Sequence, residues 1–186
     1  MSMLRSYGPQ ILLFAACLGL ILAWQMGVFR GPHPLLGKKA PSLKLDLLQG
    51  GILDLAQHQG TDVVVLDFFA TWCPPCRKGL PILSKVAESY KGQGVAVYAV
   101  NLGENPETVK AFVAKTALTL PVAMDARREA AIGYEVSTIP QTVIIGKDGI
   151  VQEVHIGIGM GMEGSLHKSL DTLLAGKRLV EPAPEP

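Results

Sequence analysis

The chain has 186 residues, 48% of them hydrophobic, enough for one ordinary domain with a sizeable core and a short extension. Lysine and arginine number 17 against 16 aspartates and glutamates, a formal net charge of +1, which lacks the basic excess of a nucleic-acid binder. Three cysteines are too few for a disulfide-stapled mini-protein, and two of them stand close together, a spacing that points to redox or metal chemistry.

Residues 1–10 form a short flank carrying Arg5, and residues 11–29 read as a membrane anchor. Ile11 to Val28 is almost continuously apolar, close to the ~20 residues a helix needs to cross a bilayer. Trp24 and Phe29 stand towards its exit, where aromatic side chains favour the interface. A helix apolar on every side is unusual in a small soluble domain. Trp24, Gln25 and Met26 occupy the place of a signal cleavage site, and the apolar run continues well past Cys17, so an uncleaved anchor is preferred to a signal peptide or a lipoprotein box. Arg5 precedes the run and Arg30, Lys38 and Lys39 follow it, which leaves its orientation open on charge alone.

Residues 30–39 carry glycine, prolines and charge and read as a linker. Leu43 to Leu47 alternates as a half-buried strand, Gln49-Gly50-Gly51 turns the chain, and Ile52 to Leu55 returns as the second strand of a hairpin. Val63 to Phe69 is a β-branched and aromatic run suited to a strand covered on both faces. From Cys73 the apolar positions Leu80, Leu83, Val86, Ala87 and Tyr90 recur at helical spacing, until Gly92 and Gly94 end the segment. Val95 to Val100 is a strand, and Asn105-Pro106 caps and starts a helix with Val109, Phe112 and Val113 on its apolar face. Leu118 to Met124 is extended and Arg127 to Ile132 a short helix. Thr142 to Ile145 and Val151 to Ile156 are strands joined by the turn Lys147-Asp148-Gly149. Leu166, Leu170, Leu173 and Leu174 mark a closing helix. The expected fold class is α/β, a mixed central sheet flanked by helices across residues 40–176, with a flexible proline-rich tail at residues 177–186.

The chemistry concentrates at Trp72-Cys73-Pro74-Pro75-Cys76. Cys73 follows a buried strand and opens a helix, where free N–H groups and the helix dipole favour a thiolate, the form that attacks disulfides. Cys76 lies one helical turn on, close enough to close a disulfide and resolve a mixed one. Pro74 and Pro75 stiffen the turn but remove two N–H donors, while Arg77 and Lys78 add positive charge; these effects oppose each other and assign no redox potential. A structural zinc site needs about four ligands, whereas His33, His58, His155 and His167 are scattered away from the single cysteine pair. Two thiolates also suit Cu(I), so a copper-binding module stands beside the redox reading. A purely structural bridge is disfavoured, because closing so short a loop restricts the unfolded chain little.

The ordered set Val65 to Cys76, Pro81, Ala99 to Glu104, Leu120 to Asp125, Ser137 to Thr142 and Lys147 to Gly149 resembles the thioredoxin superfamily. Within it, the chain is similar to the ResA/TlpA type of membrane-anchored thiol:disulfide oxidoreductase, related to the CcmG/DsbE proteins of cytochrome c biogenesis. The resemblance covers roughly residues 37–176, and Pro106 to Met124 corresponds to the extra helix and strand of this subgroup. It implies a thioredoxin-like fold with an N-terminal hairpin, on the extracytoplasmic side of the inner or cytoplasmic membrane; neither a cofactor nor a resident metal is expected. It implies that Cys73 is the nucleophile and Cys76 the resolving thiol, that Trp72, Pro74 and Pro75 border the substrate, and that Pro140 is a cis-proline beside which the Ile139 backbone pairs with an extended peptide.

Asp67 matches the aspartate that assists proton transfer at the second cysteine of thioredoxins, although many ResA/TlpA-type proteins carry a non-acidic residue there; a satisfied structural aspartate is the other reading. Glu104 matches an acidic residue near the cysteines, placed to tune the thiols or contact substrate, with a solvated loop glutamate as its counterpart. The implied activity is reduction of protein disulfides, with apocytochrome c a candidate client and a membrane thiol as electron donor. Copper-centre assembly and thiol peroxidase activity are the alternatives; the residues before Cys73 lack the Pro/Thr setting of peroxiredoxins.

Overall fold

The computed structural model describes Leu13, residues 16–19 and residues 31–184. The chain divides into residues 1–33 and residues 34–186, and the second unit carries the α/β fold. The flank at 1–10 and most of the segment 11–29, expected to be an anchor, lie outside the described residues. Among the described residues no helix is long and apolar enough to cross a membrane.

A short antiparallel hairpin opens the domain, β1 (Lys44–Asp46) with β2 (Ile52–Asp54). Leu55, expected to extend the second strand, instead begins a 3-10 turn (Leu55–His58), because the Asp54 carboxylate accepts a hydrogen bond from the Ala56 N–H and turns the chain. The main sheet follows: β3 (Val63–Phe69), β4 (Val95–Leu102), β5 (Val122–Asp125), β6 (Gln141–Ile145) and β7 (Val151–Ile156), in spatial order β5-β4-β3-β6-β7. The helices are α1 (Pro74–Ser89), α2 (Pro106–Thr116), α3 (Glu129–Gly133) and α4 (Met162–Leu174). Asn105 caps α2 by accepting from the Glu107 N–H at 2.9 Å, with Pro106 at the first helical position, where a missing N–H costs nothing. The strand expected from Leu118 starts later, at Val122, because Ala117 adopts the left-handed conformation that closes α2, and Gln49 binds Leu120 and Val122 by its side-chain amide.

Every residue of β3 is buried, which is why it reads as a continuous apolar run rather than an alternating one. Its two faces feed two cores. Val63, Val65 and Phe69 meet Leu80, Leu83 and Val86 of α1 and Leu166 and Leu170 of α4. Val64, Leu66 and Phe68 meet Leu43 and Leu53 of the hairpin and Ala130 and Tyr134 at α3. Each fully buried leucine of this kind contributes about 1.5–3 kcal/mol relative to exposure.

Both ends of the domain are tied to it beyond the expected limits. In the segment 30–39, Leu35 is buried and the Gly37 N–H donates to the Val151 carbonyl at 2.9 Å. In the segment 177–186, the Leu179 N–H donates to the Gln152 side chain and the Ala183 N–H to the Gly37 carbonyl.

Candidate active site

Topology brings four loops to one end of β3. β3 and β4 are parallel, with Phe69 beside Asn101, so the chain leaves both strands at the same end. β6 runs antiparallel to β3, with Gln141 beside Phe68, so the segment entering β6 arrives at that end too. β7 is antiparallel to β6 with Ile156 beside Gln141, and the Gly157 N–H donates to the Pro140 carbonyl at 2.8 Å. Trp72–Cys76, Asn101–Glu104, Ile139–Pro140 and the loop after β7 therefore surround one point, although up to 66 residues separate the pairs that touch.

Cys73 and Cys76 are joined as a disulfide, with Cα atoms 5.3 Å apart. Cys73 is the N-cap of α1, and Pro74 and Pro75 occupy the first helical positions. The first N–H left by the two prolines, that of Cys76, donates to Cys73 Sγ at 3.2 Å. In the reduced protein this bond and the positive end of α1 favour a thiolate on Cys73. Cys76 is fully buried, Cys73 is 3% exposed, and Trp72 beside them is 67% exposed. The Ile139–Pro140 bond is cis, and the Ile139 carbonyl oxygen lies 3.8 Å from Cys73 Sγ. An exposed tryptophan, a nearly covered sulfur and a backbone carbonyl thus share one edge, the arrangement an extended peptide needs to pair with backbone while presenting a disulfide.

Asp67 is 1% exposed, on β3. Alternation along the strand sets it with Val65 and Phe69 on the face that packs against Cys76 and α1. Its Oδ1 accepts a hydrogen bond from the Thr142 hydroxyl at 2.7 Å, while Oδ2 is buried without a partner. Burial pushes the Asp67 carboxyl up to about 7 from an ordinary value of 3.8, and the Thr142 bond pulls the other way.

Glu104 is turned inward and its carboxylate is committed. Oε2 accepts from the Thr71 N–H (2.7 Å) and the Asn101 side-chain amide (2.7 Å), and Oε1 accepts from the Thr71 hydroxyl (2.6 Å). Arg77 Nε–H donates to the Thr71 carbonyl at 2.6 Å. Thr71, two residues before Cys73, is therefore held through its N–H, its hydroxyl and its carbonyl. Thr71, Asn101 and Thr142 carry these contacts without standing out individually in the sequence, and Arg77, noted there for its charge, acts here through a backbone contact. For Thr142 the usable signal was alternation: it takes the register position beside Asp67.

Among the described residues no group of three or more histidine, cysteine, aspartate or glutamate side chains could hold a metal ion. A groove of about 560 Å³ lies at the other end of β3, with Leu43, Leu55, His58, Val64 and Ile145 in its lining. Its histidine is satisfied on both nitrogens, by Asp62 at 2.7 Å and the Tyr98 hydroxyl at 3.0 Å.

A thioredoxin-like sheet with a cysteine pair capping the helix after its central strand defines a class of thiol–disulfide exchange proteins. Residues 36–154 match the AhpC/TSA family, and the chain belongs to it. Thiol-disulfide oxidoreductase ResA of Bacillus subtilis (strain 168) is 32% identical over 141 residues, 76% of this chain and 77% of that protein. ResA of Bacillus anthracis is 36% identical over 122 residues, 66% of this chain and 70% of that protein. Among solved structures, a putative thiol:disulfide interchange protein DsbE from Chlorobium tepidum is 31% identical with a TM-score of 0.68, covering 73% of this chain and 95% of its own. A putative protein disulfide isomerase from Bacteroides thetaiotaomicron is 26% identical with a TM-score of 0.70, covering 75% and 90%. With the Cys73–Cys76 pair at disulfide distance, the protein is a thiol–disulfide oxidoreductase.

Proposed function

We propose that this enzyme reduces protein disulfides outside the cytoplasm, tethered to the membrane by residues 11–29, and that its client is the CxxCH disulfide of an apocytochrome c. The placement of Cys73 carries the reading: a helix-capping sulfur beside an exposed tryptophan and 3.8 Å from the Ile139 carbonyl can meet a peptide disulfide. Similarity to ResA- and DsbE-type proteins supports the location and the client, and the apolar run Ile11 to Val28 supports the tether.

In the reductive direction, the Cys73 thiolate attacks one sulfur of the client disulfide. A Cys73–client bond forms, the client S–S bond breaks, and the leaving sulfur takes a proton. Cys76 then gives its proton to the Asp67 carboxylate and attacks the Cys73 sulfur. The Cys73–Cys76 disulfide forms, the mixed disulfide breaks, and the second client sulfur leaves as a thiolate that is protonated. The client gains two electrons, one proton that Asp67 passes on from Cys76 and one from solvent, and a membrane dithiol of matching stoichiometry returns the pair to its reduced form. Trp72, Pro74, Pro75, Ile139 and Pro140 border the client in this scheme, and Glu104 holds the loop before Cys73 through Thr71.

The test uses Cys76→Ser, which cannot resolve. Incubated with an oxidised CxxCH peptide, it should accumulate one mixed disulfide per chain at Cys73, located by peptide mapping. No adduct, with stoichiometric Cu(I) binding to wild type instead, would replace the reductase by a copper module. Rapid peroxide consumption dependent on Cys73 alone would replace it by a peroxidase.

A further inference from the structure

Asp67 has one buried oxygen in a hydrogen bond and one without. Among the described residues no buried basic side chain partners it: the elements packed on that face present Val97 and Ala99 from β4, Cys73, Cys76 and Tyr90 along α1, and Met162, Leu166 and Leu170 from α4, of which the two cysteines and Tyr90 titrate, and the Tyr90 hydroxyl is committed to Asp171 at 2.6 Å. Thr142 is the neighbour of Asp67 across the β3–β6 ladder, and its side chain lies on the same face. A carboxylate held by nothing else would rotate between equivalent orientations, and the oxygen facing α1 would not be defined. The 2.7 Å bond from Thr142 removes that freedom. It engages Oδ1 and leaves Oδ2 buried without a partner, on a side chain that alternation along β3 sets with Val65 and Phe69, whose core includes Cys76.

We propose that Thr142 is the positioning residue of the proton relay: its hydroxyl commits Asp67 Oδ1, so that Oδ2 alone exchanges a proton with Cys76. The inference rests on the relay reading of Asp67 given above. As the mixed disulfide is resolved, the Cys76 S–H bond breaks, its proton bonds to Oδ2, and its electron pair forms the bond to Cys73 sulfur. The Thr142 proton does not move; it remains donated to Oδ1 and stabilises the carboxylate that must be present to accept. Valine in place of Thr142 keeps the branched shape and lacks the donor, whereas serine keeps the donor.

The experiment follows the Asp67 side-chain carboxyl by carbon NMR through a pH titration of the reduced full chain. The pH dependence of mixed-disulfide resolution is measured in parallel. Wild type, Thr142→Val, Thr142→Ser and Asp67→Asn are compared. Loss of the donor should move the Asp67 titration upward by about one pH unit, and the rate midpoint with it, as expected for one lost charge-assisted bond. Serine should restore both. An Asp67 titration in Thr142→Val that coincides with wild type, while Asp67→Asn still alters the rate profile, would overturn the role of Thr142 and leave the relay standing. An unchanged profile in Asp67→Asn would overturn the relay itself, and Thr142 with it. If the valine variant does not fold, Thr142→Ala is read by the same criteria.

Discussion

Two aspartates of this domain are equally buried, at 1% exposure each, and differ in what surrounds them. Asp125, at the end of β5, accepts from the Ala130 N–H on Oδ1 at 3.2 Å and from the Ala131 N–H on Oδ2 at 2.8 Å. Both its oxygens are used at the start of α3, where a carboxylate faces otherwise unpaired N–H groups and the positive end of a helix. Asp67, on the face of β3 turned to α1, has Oδ2 unpartnered and a carboxyl pushed up to about 7. Burial alone does not mark a functional carboxylate. Asp67 differs in keeping one oxygen free, which is what the proposed relay to Cys76 requires.

The largest effect expected from this contrast is on stability. The folded-state pKa of Asp67 is raised, so folding is favoured at low pH and that advantage is lost as pH rises from about 4 through about 7. Asp67→Asn should therefore be more stable than wild type at pH 8, by up to ~4 kcal/mol, with the gain vanishing near pH 4. Urea unfolding of reduced protein at both pH values measures it; a loss of stability at pH 8 would break the contrast. Asp125→Ala should do the reverse, leaving two N–H groups unpaired and costing about 2–3 kcal/mol at neutral pH by the same measurement.

The effect on rate is next in size. Asp67→Asn should slow mixed-disulfide resolution about 100-fold near pH 7, the low end of the range for a lost general acid–base group, while Asp125→Asn leaves resolution within about twofold. Stopped-flow exchange separates the two. The smallest effect sharpens the contrast with a third carboxylate. Glu104 resembles Asp125 in having both oxygens used, but it holds the loop before Cys73. Glu104→Gln should cost about 1–2 kcal/mol in denaturant unfolding and slow attack by Cys73 a few-fold, without moving the pH midpoint that the proposed relay assigns to Asp67.

What could be read from the sequence follows how local each cause is. The run Val63 to Phe69 announces a doubly covered strand by its own composition, and Asn105-Pro106 announces a helix start by chemistry that acts within three residues. The cysteine pair at a strand-to-helix junction was likewise legible, because its reactivity depends on the helix it caps. The convergence of loops has no local signal and was legible only through the family resemblance, which put Ile139, Pro140 and Glu104 with the cysteines. Thr71 meets Glu104 across 33 residues, and Thr142 meets Asp67 across 75, contacts fixed by strand order and register. The same holds at the ends of the domain. The proline-rich composition of residues 177–186 suits a loose tail, yet Leu179 and Ala183 bond to Gln152 and Gly37, partners that only the finished fold brings near. Gly37 itself has a φ of +75°, and a Cβ there would lie 2.6 Å from the Glu181 carbonyl oxygen, so glycine is required by a contact from the far end of the chain.

The central claim is that the Cys73–Cys76 pair works as a reductant. The most direct test is its reduction potential in the full chain, from free-thiol counts at equilibrium in defined thiol–disulfide buffers. A value near that of thioredoxin, about −270 mV, is the expected result and means that the pair delivers electrons to client disulfides. A value near about −120 mV, that of the strong oxidant DsbA, would mean that it delivers disulfides instead and would contradict the claim.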